Sequence, residues 1–338
     1  MAGFFIRQTL LALLWSVVAV TAAAQPPRPI RIESSDPACR AATLVSTGGM
    51  APRSRDTLAV RWTGFGNFEL AYDGQVILLD AWFDRGSLYP PLGFKAADIR
   101  KADVILIGHG HYDHMADAAA VATATGARVV GAPLTIAKLR EQSVAEQQLR
   151  SVNGRGGEVL AFRGFTVEPI LARHGEPAAE VTAAFASALQ RAAVQPTAAQ
   201  LAEGAAIAAR GIPTSDPRVI TEGTLAYLIT LDSGFRILFR DSGGRVTDSE
   251  KSVAARVGPV DLVLAATSAS YVTASIVGQA LEYVHTYRPG VFMPAHHDGA
   301  ANELWRPTEP VFQAIRDENP NVVTISTGYR EPTCFRTR

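Results

Sequence analysis

The sequence predicts an α/β fold, and three observations carry that reading. Short runs rich in β-branched and aromatic residues recur along the chain, each closed by Gly, Pro or a polar cluster. Segments of helical composition fall between many of them, which is the alternation of an α/β domain. Most of the chain's His sit directly after the apolar runs, at strand ends, where loops on a rigid scaffold display chemistry. The apolar fraction, 47%, is ample for a large core.

Taken in order, the N-terminus has the pattern of a secretory leader over residues 1–24. Arg7 supplies a positive start, Leu10 to Val20 is too short for a comfortable membrane span, and Ala22-Ala23-Ala24 offers a small-residue cleavage site before Gln25. An uncleaved anchor is the rival reading. Either way the rest is exported, to the periplasm or the medium. Pro26-Pro27-Arg28-Pro29 is a stiff spacer within an N-terminal segment, 25–55.

Asp103 to Gly108 is a buried strand running into a loop. Met115 to Thr125 is helical, with Gly126 to end it. Arg128-Val129-Val130-Gly131 is a short strand, and Ile136 to Arg150 an exposed amphipathic helix with Leu139 and Val144 on its apolar side. Val159 to Leu171 holds two strands around Gly164. Residues 176–217 then interrupt the alternation. Val181, Phe185 and Leu189 form one helical stripe, Thr197-Ala198-Ala199-Gln200 is a capping box, and Gly211 is placed to stop a helix. A helical insertion here is anchored near the loops at the strand ends. It serves either as a partial cover, over about 178–212, or as scaffold packing. Strands follow at Thr224 to Leu231, Phe235 to Arg240 and Val291 to Pro294, with a helix ending near His285 between the last two.

Net charge is zero, from 32 basic and 32 acidic residues, which argues against a nucleic-acid partner. The two cysteines, Cys39 and Cys334, lie near the two ends. An exported chain permits a bridge between them, and two free thiols fit equally.

The chemistry concentrates at His109-Gly110-His111-Tyr112-Asp113-His114, directly after a strand. Imidazoles two apart can reach one cation, and the Asp-His pair can turn toward a second. Borderline metals such as zinc favour this nitrogen and oxygen mixture. His174, Asp241 and His296 each follow another strand-like run.

With those three in order behind the six-residue motif, the chain resembles the metallo-β-lactamase superfamily over roughly 56–330, leaving a tail at 331–338. Leu58 to Leu70 and Gln75 to Asp80 look like its opening strands. The Pro294-x-His296 ending is most similar to the branch containing ascorbate-6-phosphate lactonase and N-acyl-phosphatidylethanolamine phospholipase D. The resemblance implies one αββα sandwich. It implies two divalent cations, zinc first and manganese or iron also tolerated. His109, His111 and His174 would hold one cation. Asp113, His114 and His296 would hold the other, with Asp241 between them and Asp113 and His114 central to catalysis. A hydroxide generated between the metals would attack an ester, lactone or phosphodiester of a small molecule. Asp80 would orient a ligand. His297, Tyr112 and His285 are candidates for the surroundings or the substrate, His285 having a simpler role at a helix C-terminus. A β-lactam hydrolase and a non-catalytic metal-binding protein are the alternatives.

Overall fold

The computed structural model describes residues 30–33, 35–175, 195–267, 273–298 and 308–338. The leader and spacer, and the stripe Val181, Phe185 and Leu189, lie outside the described residues.

The chain enters through a short strand, β1 (Arg31–Ile32), and then builds β2 (Thr57–Trp62), β3 (Phe68–Tyr72) and β4 (Gln75–Leu79) as an antiparallel meander. Parallel additions follow: β5 (Val104–Leu106), β6 (Arg128–Gly131) and β7 (Leu149–Ser151). The helices α1 (Tyr112–Met115), α2 (Ala118–Thr125) and α3 (Pro133–Glu141) make the crossovers. The second sheet starts with the hairpin β8 (Leu160–Phe162) and β9 (Phe165–Leu171). After α4 (Ala198–Ala208) and α5 (Pro217–Thr221) come β10 (Leu225–Leu231) and β11 (Arg236–Arg240), then α6 (Asp248–Val257) and β12 (Leu262–Ala266). The last elements are α7 (Thr273–Tyr287), β13 (Val291–Ala295), α8 (Glu309–Glu318), β14 (Val323–Thr324) and β15 (Pro332–Arg336).

The result is an eight-stranded sheet, β1-β15-β2-β3-β4-β5-β6-β7, packed on a seven-stranded sheet, β14-β13-β12-β11-β10-β9-β8. Leu58, Val60, Phe68 and Leu70 of the first meet Val167, Tyr227, Phe239 and Leu264 of the second in one core. Val121, Ile136 and Leu139 cover the outer face of the first sheet, and Val253, Tyr283 and Ile315 that of the second. Helices thus lie outside two face-to-face sheets, the αββα sandwich. Covering both faces explains why β2, β3, β12 and β13 are buried along their whole length instead of alternating.

Three sequence expectations need correcting. Residues 331–338 are not a tail, because β15 pairs antiparallel with β2 and with β1 inside the first sheet. The helix expected to Arg150 stops at Glu141; Ser143 takes a left-handed φ of 65°, and Val144 is buried in the turn that leads to β7. Gly211 does not stop α4, which ends at Ala208. A Cβ on Gly211 would lie 2.3 Å from the backbone nitrogen of Tyr112, so Gly is needed there for close approach. The Thr197–Gln200 capping box forms as expected. Cys39 and Cys334 are joined in a disulfide, with Cα atoms 5.7 Å apart.

Candidate metal centre

Both sheets bring the carboxyl ends of strands to one edge, the usual place for a site in open α/β sheets. β4 and β5 run parallel, so Asp80 and the loop 107–114 emerge side by side; the Asp80 N–H donates to Leu106 O at 2.8 Å. β11, β12 and β13 also run parallel, and Leu171 of β9 lies opposite Leu225, whose neighbour Ala226 faces Arg240. His174, Asp241 and His296 therefore leave the second sheet at the same edge. The Leu225 N–H donates to Gly108 O at 2.7 Å, and the Tyr227 hydroxyl to Ile107 O at 2.8 Å. These bonds stitch the two edges together.

The seven candidate ligands converge. His109, His111 and His174 form one group, Asp113, His114 and His296 a second, and His109, His114 and Asp241 a third, each with ligand atoms within 4.8 Å of one another. In the first group the ring centroids stand 4.6 to 4.7 Å apart, and His109 Nε2 lies 3.1 Å from His111 Nδ1. In the second, Asp113 Oδ2 lies 3.2 Å from His296 Nε2 and 3.4 Å from His114 Nε2. Asp241 Oδ2 meets the Nδ1 edges of two rings, 2.6 Å from His109 Nδ1 and 3.2 Å from His114 Nδ1. A Cβ on Gly108 would sit 2.1 Å from the Asp241 carboxyl carbon, so only Gly admits that carboxylate.

The residues fit divalent cations. Among the described residues, buried Asp241 Oδ1 has no hydrogen-bond partner, a costly state for a carboxylate oxygen unless something else engages it. Burial holds His109 well below the usual imidazole range and His174 down at about 4, so both offer neutral nitrogens at pH 7. Burial acts on His114 in the same sense, but Asp113, Asp80 and Asp241 outweigh it and lift that ring well above the usual range. Burial, with Asp241 beside it, pushes Asp80 up to about 8.

Asp80 lies beside His114 and the start of the motif loop. Its Oδ2 lies 2.7 Å from His114 Nδ1 and its Oδ1 accepts the Gly108 N–H at 2.9 Å. Gly66 allows this, since a Cβ there would lie 2.6 Å from Asp80 Oδ2. Tyr112 packs edge-on against Trp82, with centroids 5.4 Å apart. His297 stacks on the Trp62 indole at 4.2 Å, outside the three groups, while its neighbour His296 joins Asp113. His285 is corrected: it lies exposed on α7 and pairs with Glu318 of the helical layer at 3.1 Å, because its helix packs outside the second sheet.

Sequence reasoning missed Asp298, Arg85, Tyr329 and Asp117, all of which hold the surroundings. Asp117 accepts from the Phe83 and Asp84 N–H groups and pairs with Arg210 at 2.6 Å, tying the segment after α4 to the motif. Its place three residues after His114 was the available signal. Ile207 of α4 is buried with Phe65, Trp82 and Ala116, and the Ile212 N–H donates to Gly110 O at 2.7 Å. A cleft of about 1150 Å³ opens between the 83–98 loop and α4, lined by Arg85, Tyr89, Lys95, Glu203, Ile207 and Arg210. Tyr89 and Ile207 connect it to the aromatic group around Trp82 and Tyr112.

A beta-lactamase superfamily domain model matches residues 75–297. A UPF0173 metal-dependent hydrolase of Roseiflexus castenholzii is 36% identical over 111 residues, 32% of this chain and 45% of that protein. The chain thus spans less than half the length of the first curated relatives it matches. A UPF0173 metal-dependent hydrolase of Polynucleobacter asymbioticus is 24% identical over 79% of this chain and 83% of its own length. Among solved structures, the metallo hydrolase Igni18 of Ignicoccus hospitalis is 16% identical, covers 82% of this chain and 98% of its own, and superposes with a TM-score of 0.57. The diiron β-hydroxylase CmlA of Streptomyces venezuelae, also 16% identical, covers 81% and 54% with a TM-score of 0.52. These likenesses establish the fold.

Proposed function

Because this chain belongs to the metallo-β-lactamase superfamily, we propose that it is a metal-dependent hydrolase with two divalent cations, acting on an ester, lactone or phosphodiester. The observation that carries this reading is the convergence of seven His and Asp side chains into adjoining groups at one sheet edge. When bound, such a cation pair supplies an activated water and Lewis acidity. Neutral imidazoles at His109, His111 and His174 would hold one cation and leave it strongly acidic. The Asp113 carboxylate, with His114 and His296, would hold the other and offset part of its charge. Asp241 orients His109 and His114 through Oδ2, and its Oδ1 would be available to a cation. Asp80 fixes the His114 ring, so its Nε2 faces Asp113.

The substrate has an apolar part in this reading. Phe65, Trp82, Tyr89 and Tyr112 form an aromatic wall beside His296 and lead into the cleft under α4. The insertion then acts as a partial lid. We place the protein outside the cytoplasm, in its mature form from near Gln25. The leader pattern supports this, and the Cys39–Cys334 disulfide suits an oxidising compartment. Among the described residues no helix is long and apolar enough to cross a membrane.

Metal analysis of purified protein, then a panel of lactones, phosphodiesters, carboxylic esters and β-lactams, tests the function. Two equivalents of metal with turnover of one of the first three classes is expected; a metal-free, inactive protein refutes it. Intact mass of periplasmic protein tests export, and a mass that retains Met1 to Ala24 overturns cleavage.

A further inference from the structure

One ligand of the second group is held by backbone that L-residues rarely adopt. His296 has φ 56°, and Phe65, which it touches, has φ 48°. Such conformations persist only where the surroundings over-determine them. Here the surroundings form a chain of contacts. The Phe65 carbonyl accepts two donors, the His296 N–H at 2.7 Å and the Trp62 indole N–H at 2.8 Å. The Phe65 N–H donates to Asp298 Oδ1 at 2.9 Å. Asp298 Oδ2 in turn accepts Arg85 Nη1 at 2.7 Å and the Tyr329 hydroxyl at 2.6 Å. Arg85 is buried between Phe65, Trp82, Tyr89 and Tyr329, its guanidinium carbon 5.1 to 5.9 Å from each ring centroid, and it also donates to Pro90 O at 2.6 Å.

We infer that Asp298, clamped by Arg85 and Tyr329, is a positioning residue for the second metal site, acting on His296 through the Phe65 loop. It touches neither Asp113 nor His114 in any contact described above. Its effect passes through one residue, Phe65, whose N–H it accepts and whose carbonyl accepts the His296 N–H. His109, His111 and His174 have no share in this chain, so the effect is confined to one of the two sites. Partners behind a ligand typically change metal affinity ten- to a hundredfold, which sets the expected size.

The inference rests on the two-metal reading, and one titration separates the two. The full-length mature protein, stripped with chelator, is titrated with Zn²⁺ against a chromophoric competitor. Two binding steps in the parent protein support the reading; a single step or none sinks it. Asp298→Ala should keep the tighter or weaker step assigned to His109, His111 and His174, as identified with His111→Ala, and weaken the other by roughly ten- to a hundredfold. Asp298→Asn keeps an acceptor for the Phe65 N–H and should lose only a few-fold, on the order of one lost charge-assisted contact. It also decides the matter if the alanine variant does not fold. Two unchanged steps, or equal weakening of both, overturns the positioning role even where the parent binds two metals.

Discussion

The two ligand groups differ in charge although they share one sheet edge. His109, His111 and His174 are three imidazoles drawn together by burial, and burial keeps them unprotonated. Asp113, His114 and His296 include a carboxylate, and His114 is surrounded by Asp113, Asp80 and Asp241, which outweigh its burial and favour its protonated form. The first group favours neutral rings. At the second a cation would compete with a proton. The supports differ too. Behind the first, Arg240 pairs with Glu250 at 2.9 Å and donates to Arg173 O at 3.1 Å, bracing the residues next to Asp241 and His174. Behind the second, Arg85 works through Asp298. Identical cations would therefore meet two sites with different proton linkage.

The comparison breaks most visibly at a ligand. His111→Ala should lower metal content from two equivalents toward one and turnover by more than about 100-fold, beyond the usual effect of an outer partner; full metal content with full turnover would remove the assignment. A change remote from both groups should leave their difference standing. Replacing Cys39 and Cys334 by Ser should reduce stability by about 2–4 kcal/mol in denaturant titrations. Metal content should stay at two, and a loss from either group would show that the disulfide supports the site.

Acid should separate the groups. His114 has its folded pKa raised, so below that value its proton competes with the cation. Second-site affinity should fall about tenfold per pH unit for each proton displaced. The first group's imidazoles are lowered by burial, His174 to about 4, so acid competes with a cation there only at lower pH than at His114. Dialysis between pH 7.5 and 5.5 should thus release one metal first, and simultaneous loss of both would erase the distinction. The smallest effect concerns the insertion. Ile207→Ala should shift KM for substrates with an apolar part by a few-fold, about what one or two buried methyl groups contribute. Metal content should not change; identical kinetics would leave α4 as scaffold.

The ligands and their supports differ in how far the sequence exposes them. Four ligands fall within the six residues 109–114, two for each group, directly after β5, and the motif is legible at sight. His174, Asp241 and His296 are legible as residues that follow strands, because β9, β11 and β13 are short apolar runs with clear ends. Their support is not. Arg85 and Asp298 are separated by 213 residues, and no local pattern announces a pair made by tertiary packing. β15 is hidden for a similar reason: five residues led by Pro332 become a strand only because β2 lies beside them. His285 misled because a His at a helix end looks alike whether its helix faces the site or, as here, the solvent side.

The left-handed backbone at Phe65, Asp80 and His296 has a consequence for selection. A conformation of that kind costs of order 1–3 kcal/mol at a non-glycine residue, whereas glycine adopts it freely. At Phe65 the buried ring outweighs that cost, but heat-resistance screens on metal-free protein should favour glycine at Asp80 and His296, and so drift away from the ligand and its orienting carboxylate. Lineages that keep His296 and Asp80 do so against that thermodynamic pull. Their retention would report continuing use of the centre, since folding alone is better served without them.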